Sequence, residues 1–116
     1  MNITFRQLRL FLALAQTESV TKAARMMHVT QPTASMQLKE ITENVGLPLF
    51  EVISKKVHLT QLGVELAKTA REMTAQWEAF EQHVTQTRGL TKGNLRVAVA
   101  RRLANSLISA TPSRPT

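Results

Sequence analysis

The chain has 116 residues, with 15 Lys and Arg against 8 acidic residues, a net charge of +7 and a pI near 10.9. That length holds one modest core, and the charge suits an anionic partner, nucleic acid or an acidic membrane surface, about as well as it suits a basic domain with no special partner. With no Cys, disulfides and thiolate zinc sites are excluded, in keeping with a reducing cytosol.

The charge is uneven. Residues 1–60 carry 7 Lys/Arg against 4 Glu, 61–90 carry 3 against 4, and 91–116 carry 5 against none. Most of the excess is therefore near the C-terminus. There is no Asp and no Tyr. No apolar run is long enough for a membrane span, and the N-terminus lacks the pattern of a signal peptide. The expectation is a cytoplasmic protein.

In chain order, Phe5, Leu8, Phe11, Leu12 and Ala15 have helical spacing, with Thr4 as N-cap. Ser19 caps a second helix whose inward residues are Val20, Ala23, Ala24 and Met27. Val29 packs the turn, and Thr30 or Gln31 caps a third helix with Pro32 in its first turn, where the missing N–H costs nothing. Ala34, Leu38, Ile41 and Val45 form its buried stripe, and Gly46 ends it in a left-handed cap. Two β-rich arms, Leu47–Ile53 and Val57–Leu59, flank the polar tip Ser54-Lys55-Lys56 and predict a hairpin. Leu49, Phe50 and Leu59 are expected in the core.

Thr60 caps a long helix expected to reach about Arg88. Its apolar residues Leu66, Ala70, Met73, Trp77, Phe80 and Val84 average 3.5 residues apart, the coiled-coil repeat. A helix so placed has little core of its own to cover Trp77 and Phe80, so a homodimer through these six residues is expected. Gly89 and Gly93 bracket a break, Asn94–Ala100 reads as a strand, and Arg101–Ser109 has weak helical spacing. The division is a mainly α head at 1–60, a linker or dimerisation helix at 61–90, and 91–116 as the start of a further domain or a disordered tail.

Chemistry concentrates in the second and third helices. A helix with a polar, donor-rich first turn fits the DNA major groove. Gln31, Thr33, Ser35, Met36, Gln37, Lys39 and Glu40 are the outward positions. Gln can pair with adenine, Ser and Thr with either base, and a thioether with a thymine methyl. An exposed helix face is the bland alternative; the succession of helix, turn, Pro-started helix and basic-tipped hairpin favours DNA. His28, His58 and His83 fall on three elements without ligand spacing, so no metal is expected. No nucleophile–base order or phosphate loop is present, so no cofactor and no enzyme are expected.

The segments Phe5-Arg-Gln-Leu-Arg-Leu-Phe11, Ala23-Ala24, Thr30-Gln-Pro-Thr-Ala-Ser35, Gly46-Leu-Pro-Leu-Phe-Glu51 and Leu59-Thr-Gln-Leu-Gly63 together resemble the N-terminal domain of LysR-type bacterial transcriptional regulators, from about residue 3 to residue 100. The wording of the third helix and of Gly46–Glu51 is most similar to the branch that regulates carbon-dioxide-fixation operons. The resemblance implies a winged helix-turn-helix followed by a long linker helix, antiparallel pairing of linker helices into dimers, tetramers in full-length proteins, and double-stranded DNA carrying an interrupted palindrome. It implies that Gln31, Pro32, Thr33 and Ser35 approach bases; Met36 is expected beside them on its own chemistry, as a contact to a thymine methyl. From residue type and position, Thr30, Gln37 and Lys39 are expected at the backbone and Ser54, Lys55 and Lys56 at the wing; the resemblance adds that Lys55 stands where the family inserts a basic side chain into the minor groove.

This chain departs from the family in two places, with Met36 and Val52 where Arg is frequent. Leu95–Val99 resembles the first strand of the family's co-inducer-binding domain, and the match fades from Arg101. The expectation is thus a regulator module without effector sensing. The rival reading is an interaction protein that pairs with a full-length relative through its linker helix; a basic membrane-surface module ranks third, because the long helix has a near-neutral polar face.

Overall fold

The computed structural model describes residues 1–93, in the order α1 (Phe5–Thr17), α2 (Val20–Met26), α3 (Gln31–Val45), β1 (Phe50–Ile53), β2 (Lys56–Leu59) and α4 (Gln61–Gly93). The strand expected at 94–100, the helical spacing at 101–109 and the closing prolines lie outside the described residues. The chain divides into two compact units, Met1–Gln76 and Trp77–Thr116.

Side-chain caps set each helix start, supplying acceptors for N–H groups that a first turn leaves without partners. Thr4 Oγ1 accepts from Gln7 N at 3.1 Å while Gln7 Oε1 accepts from Thr4 N at 3.0 Å, a reciprocal capping box. Ser19 Oγ accepts from Lys22 N at 3.2 Å. Thr30, rather than Gln31, caps α3, accepting from Thr33 N at 3.3 Å. Gly46, at φ 83°, closes α3 as expected. Thr60 Oγ1 accepts from Gly63 N at 3.1 Å and donates to Pro48 O at 2.9 Å, tying the start of α4 to the loop before the wing.

The core of the first unit gathers Leu10, Phe11, Ala13 and Leu14 of α1, Ala23 and Ala24 of α2, Ala34, Leu38 and Ile41 of α3, then Leu49, Val57 and Ala67. The expected α1 stripe is corrected. Leu8 and Phe11 are buried, but so are Leu10, Ala13 and Leu14, whereas Phe5, Leu12 and Ala15 are half-buried. The cause is that α1 packs on α2, α3 and β2 at once, so its apolar face is wider than one stripe. Phe50 and Leu59 pack at the core margin, and Val57, not foreseen, fills it. Each large side chain so buried contributes about 1.5–3 kcal/mol.

The wing is an antiparallel pair in register Phe50↔Leu59, Glu51↔His58, Val52↔Val57 and Ile53↔Lys56. Lys56, expected in the tip, instead opens β2. The connection is only Ser54-Lys55, both with positive φ (53° and 65°), the signature of a type I′ turn whose twist matches a hairpin.

In α4, Leu66 packs against the core and Ala67 and Ala70 are buried within the first unit. The helix runs past Arg88 and through Gly89 to Gly93, where the sequence predicted a break. A mid-helix glycine costs only about 1 kcal/mol relative to Ala, too little to stop a long helix. In the second unit the rings of Trp77 and Phe80 lie 5.6 Å apart at a 39° tilt. Both remain substantially exposed, at 45% and 54%.

Candidate nucleic-acid interface

The packing of α3 decides what it can present. Ala34, Leu38 and Ile41 turn inward, so Gln31, Pro32, Ser35, Met36, Lys39 and Glu40 are exposed. Residues 32, 35, 36 and 39 follow the i, i+3, i+4, i+7 spacing of one helix face. Thr33 and Gln37 are half-buried at the margin of that face. Met36 is 52% exposed, so this face presents a thioether, and Val52 on the wing is exposed likewise.

The first turn of α3 is held rigidly. The Thr30 hydroxyl accepts the Thr33 N–H and donates to Thr33 Oγ1 at 2.9 Å. Upstream, His28 takes φ 57° and the Val29 N–H donates to Ala24 O at 3.0 Å. The turn between α2 and α3 therefore contains a left-handed residue where glycine would be unstrained.

Helix α3 is also braced from behind. Gln7 Nε2 donates to Gln37 Oε1 at 2.7 Å and to Glu40 Oε1 at 3.1 Å. A cleft of about 290 Å³ opens next to this bridge, lined among others by Arg6, Gln7, Leu10, Met27, Thr33 and Gln37. Sequence reading assigned no role to Gln7 or Arg6. The available signal was Thr4-x-x-Gln7, the capping-box spacing.

At the wing, Lys55 occupies the left-handed turn and is exposed. Lys56 is not equivalent, because its Nζ lies 3.2 Å from Glu18 Oε1. Among the described residues no cluster of His, Cys, Asp or Glu can hold a metal, and no helix is long and apolar enough to cross a membrane.

Residues 5–64 match the family model described as the bacterial regulatory helix-turn-helix protein, lysR family. The HTH-type transcriptional activator CmpR of Synechocystis is 39% identical over 97 residues, covering 84% of this chain and 32% of CmpR. The RuBisCO operon transcriptional regulator of Allochromatium vinosum is 38% identical over 100 residues, covering 86% of this chain and 33% of that protein. The chain thus spans about a third of the length of these relatives, and the name of the second agrees with the expected carbon-dioxide-fixation branch. Among solved structures, Vibrio fischeri DarR in complex with DNA superposes with a TM-score of 0.68 at 32% identity, covering 78% of this chain and 31% of DarR. The CbnR DBD–DNA complex superposes with a TM-score of 0.66 at 26% identity, covering 72% of this chain and 97% of that one. These similarities agree with a winged helix-turn-helix carrying a long linker helix.

Proposed function

The chain belongs to the lysR family of bacterial regulatory helix-turn-helix proteins, and from that premise we propose that it is a sequence-specific DNA-binding module of a transcriptional regulator. The observation that carries this reading is the outward row of α3. Gln31, Pro32, Ser35 and Met36 stand exposed within the first two turns of a helix whose opposite face is anchored in the core. Such a helix end can enter a major groove and meet base edges. The similar DarR and CbnR structures were solved with DNA, which supports the same partner.

In this reading Gln31, Pro32, Thr33, Ser35 and Met36 meet bases. Thr30, Gln37 and Lys39 meet the sugar–phosphate backbone, and Ser54, Lys55 and Lys56 belong to the wing. Phosphate contacts supply most of the affinity and make it salt-dependent; base contacts set the sequence. Roughly six neutralised phosphates per dimer give a log–log salt slope near −5. The protein works as a homodimer on an interrupted palindrome, in the bacterial cytoplasm. Of the six residues expected at the dimer seam, Ala70 and Leu66 already pack within their own unit. Met73, Trp77 and Phe80 remain exposed and, with Val84, carry the association.

Selection of bound duplexes from random DNA tests the reading. It is expected to return a single interrupted palindrome. Gln31→Ala then costs about 1–3 kcal/mol on the selected site and less on random DNA. Equal loss on both duplexes would remove Gln31 from base reading, and no enrichment at all would sink sequence-specific binding.

A further inference from the structure

Gln7 is a polar residue only 6% exposed, and its amide is oriented from both ends by groups that have no alternative role. The Thr4 main-chain N–H can only donate, and it donates to Gln7 Oε1 at 3.0 Å. The Glu40 carboxylate, when ionised, can only accept, and it takes one Gln7 Nε2 proton at 3.1 Å. The other Nε2 proton goes to Gln37 at 2.7 Å. The atom of Gln37 that meets Gln7 must therefore be its carbonyl oxygen. The Gln37 amide nitrogen takes no part in this bridge.

We propose that Gln7 is a positioning residue for nucleic-acid binding, which turns Gln37 into a donor-only contact to a DNA phosphate oxygen. This inference rests on the DNA-binding reading above. Three observations favour phosphate over a base. A glutamine that pairs with adenine needs both its amide N and its amide O, and here the O is engaged. Gln37 is half-buried, set back from the exposed row of Gln31, Ser35 and Met36. It shares its cleft with Arg6, an exposed cation that likewise has donors and no acceptor. A capping box at the start of α1 thus dictates, through one buried amide, the polarity presented at the margin of the reading helix.

The test exchanges two residues at constant charge, in the double variant Gln7→Glu with Glu40→Gln. The carboxylate introduced at position 7 still accepts from Thr4 N, so the capping box stands. A carboxylate cannot donate, so the Gln37 amide turns over and shows its oxygen outward. The expected result is a loss of about tenfold in affinity on selected and random duplexes alike. The salt slope is unchanged, since no charge is added or removed, and the melting temperature stays within a few degrees. The Gln37 side-chain amide signals shift on DNA addition in the parent protein and not in the exchanged one. Gln37→Ala separates the two ideas. Parent-like affinity in Gln37→Ala would refute a DNA contact at this residue. A loss in Gln37→Ala beside parent-like binding in the exchanged protein would overturn the positioning role alone. A loss confined to the selected duplex would overturn phosphate as the partner. Should the exchanged protein not fold, Gln7→Met releases the Gln37 amide without reversing it, with an expected loss of about threefold on both duplexes; parent-like binding in that variant overturns the positioning role.

Discussion

The Lys56 ammonium sits 3.2 Å from the Glu18 carboxylate, and the neighbouring Val57 N–H donates to the Glu18 carbonyl at 3.1 Å. Glu18, itself left-handed at φ 57°, therefore grips the second wing strand by both side chain and backbone. Of two adjacent lysines, one is partly neutralised. Lys55→Ala should weaken DNA binding more than Lys56→Ala. Glu18→Gln should release Lys56 in each protomer and steepen the log–log salt slope of the dimer by about 1.8 if each then meets one phosphate. Stability should change by less than about 1 kcal/mol, because both groups are half exposed. Fluorescence anisotropy across a salt series decides it: equal losses from the two lysine variants would show that the pair opens on binding.

The turn Ser54-Lys55 holds two non-glycine residues in left-handed backbone, at roughly 1 kcal/mol or more of strain. Type I′ turns favour Asn-Gly. Ser54→Asn together with Lys55→Gly should raise stability by about 0.5–1.5 kcal/mol and at the same time lower DNA affinity through loss of the Lys55 cation. Thermal melts and binding isotherms on one variant should move in opposite senses. A variant that gains stability and keeps its affinity would take Lys55 off the DNA.

Gly63 lies in the first turn of α4, and a methyl group there would overlap the Leu49 carbonyl oxygen, with the Leu59 Cβ also in contact range. The obstruction is main chain and cannot rotate aside. Gly63→Ala should destabilise the domain by about 2–3 kcal/mol, although alanine is the better helix former. A melting temperature equal to the parent's would mean that α4 shifts freely against the Leu49 loop.

How much of this was legible in the sequence depended on whether the determinant was local. The caps at Thr4, Ser19 and Thr60 and the stop at Gly46 lie within a few residues of what they satisfy, so local chemistry named them, and it narrowed the α3 cap to Thr30 or Gln31. The alternation of buried and exposed residues on α3 was legible for the same reason. The burial of Leu10, Ala13 and Leu14 was not, because α1 touches three elements that only the tertiary fold brings together. The role of Gln7 is hidden in the sequence because its partners Gln37 and Glu40 are 30 and 33 residues away. Lys56 groups naturally with Lys55, because a run of two lysines gives no hint that one begins a strand and reaches Glu18. Gly89 does not break α4, since a single glycine is a weak terminator inside a long helical stretch.

Trp77 and Phe80 lie tilted against one another and still leave about half of each surface in water, an unfavourable state for large aromatics unless another chain covers them. Trp77→Ala should shift the protein from dimer to monomer in sedimentation velocity at micromolar concentration. The first unit's melting temperature should be little changed. DNA affinity on a full palindrome should fall far more than on a half-site. A variant that sediments as the parent dimer would place the association elsewhere.

Ala23 and Ala24 are buried to 0% and 2% exposure at the junction of α1, α2 and α3. Their methyls leave α2 no slack against its neighbours, and the Ala24 carbonyl anchors the segment leading into α3. Any larger side chain at either position would have to push α3 outward or roll it. The seating depth of α3 is therefore gauged from its rear, by two of the smallest side chains available.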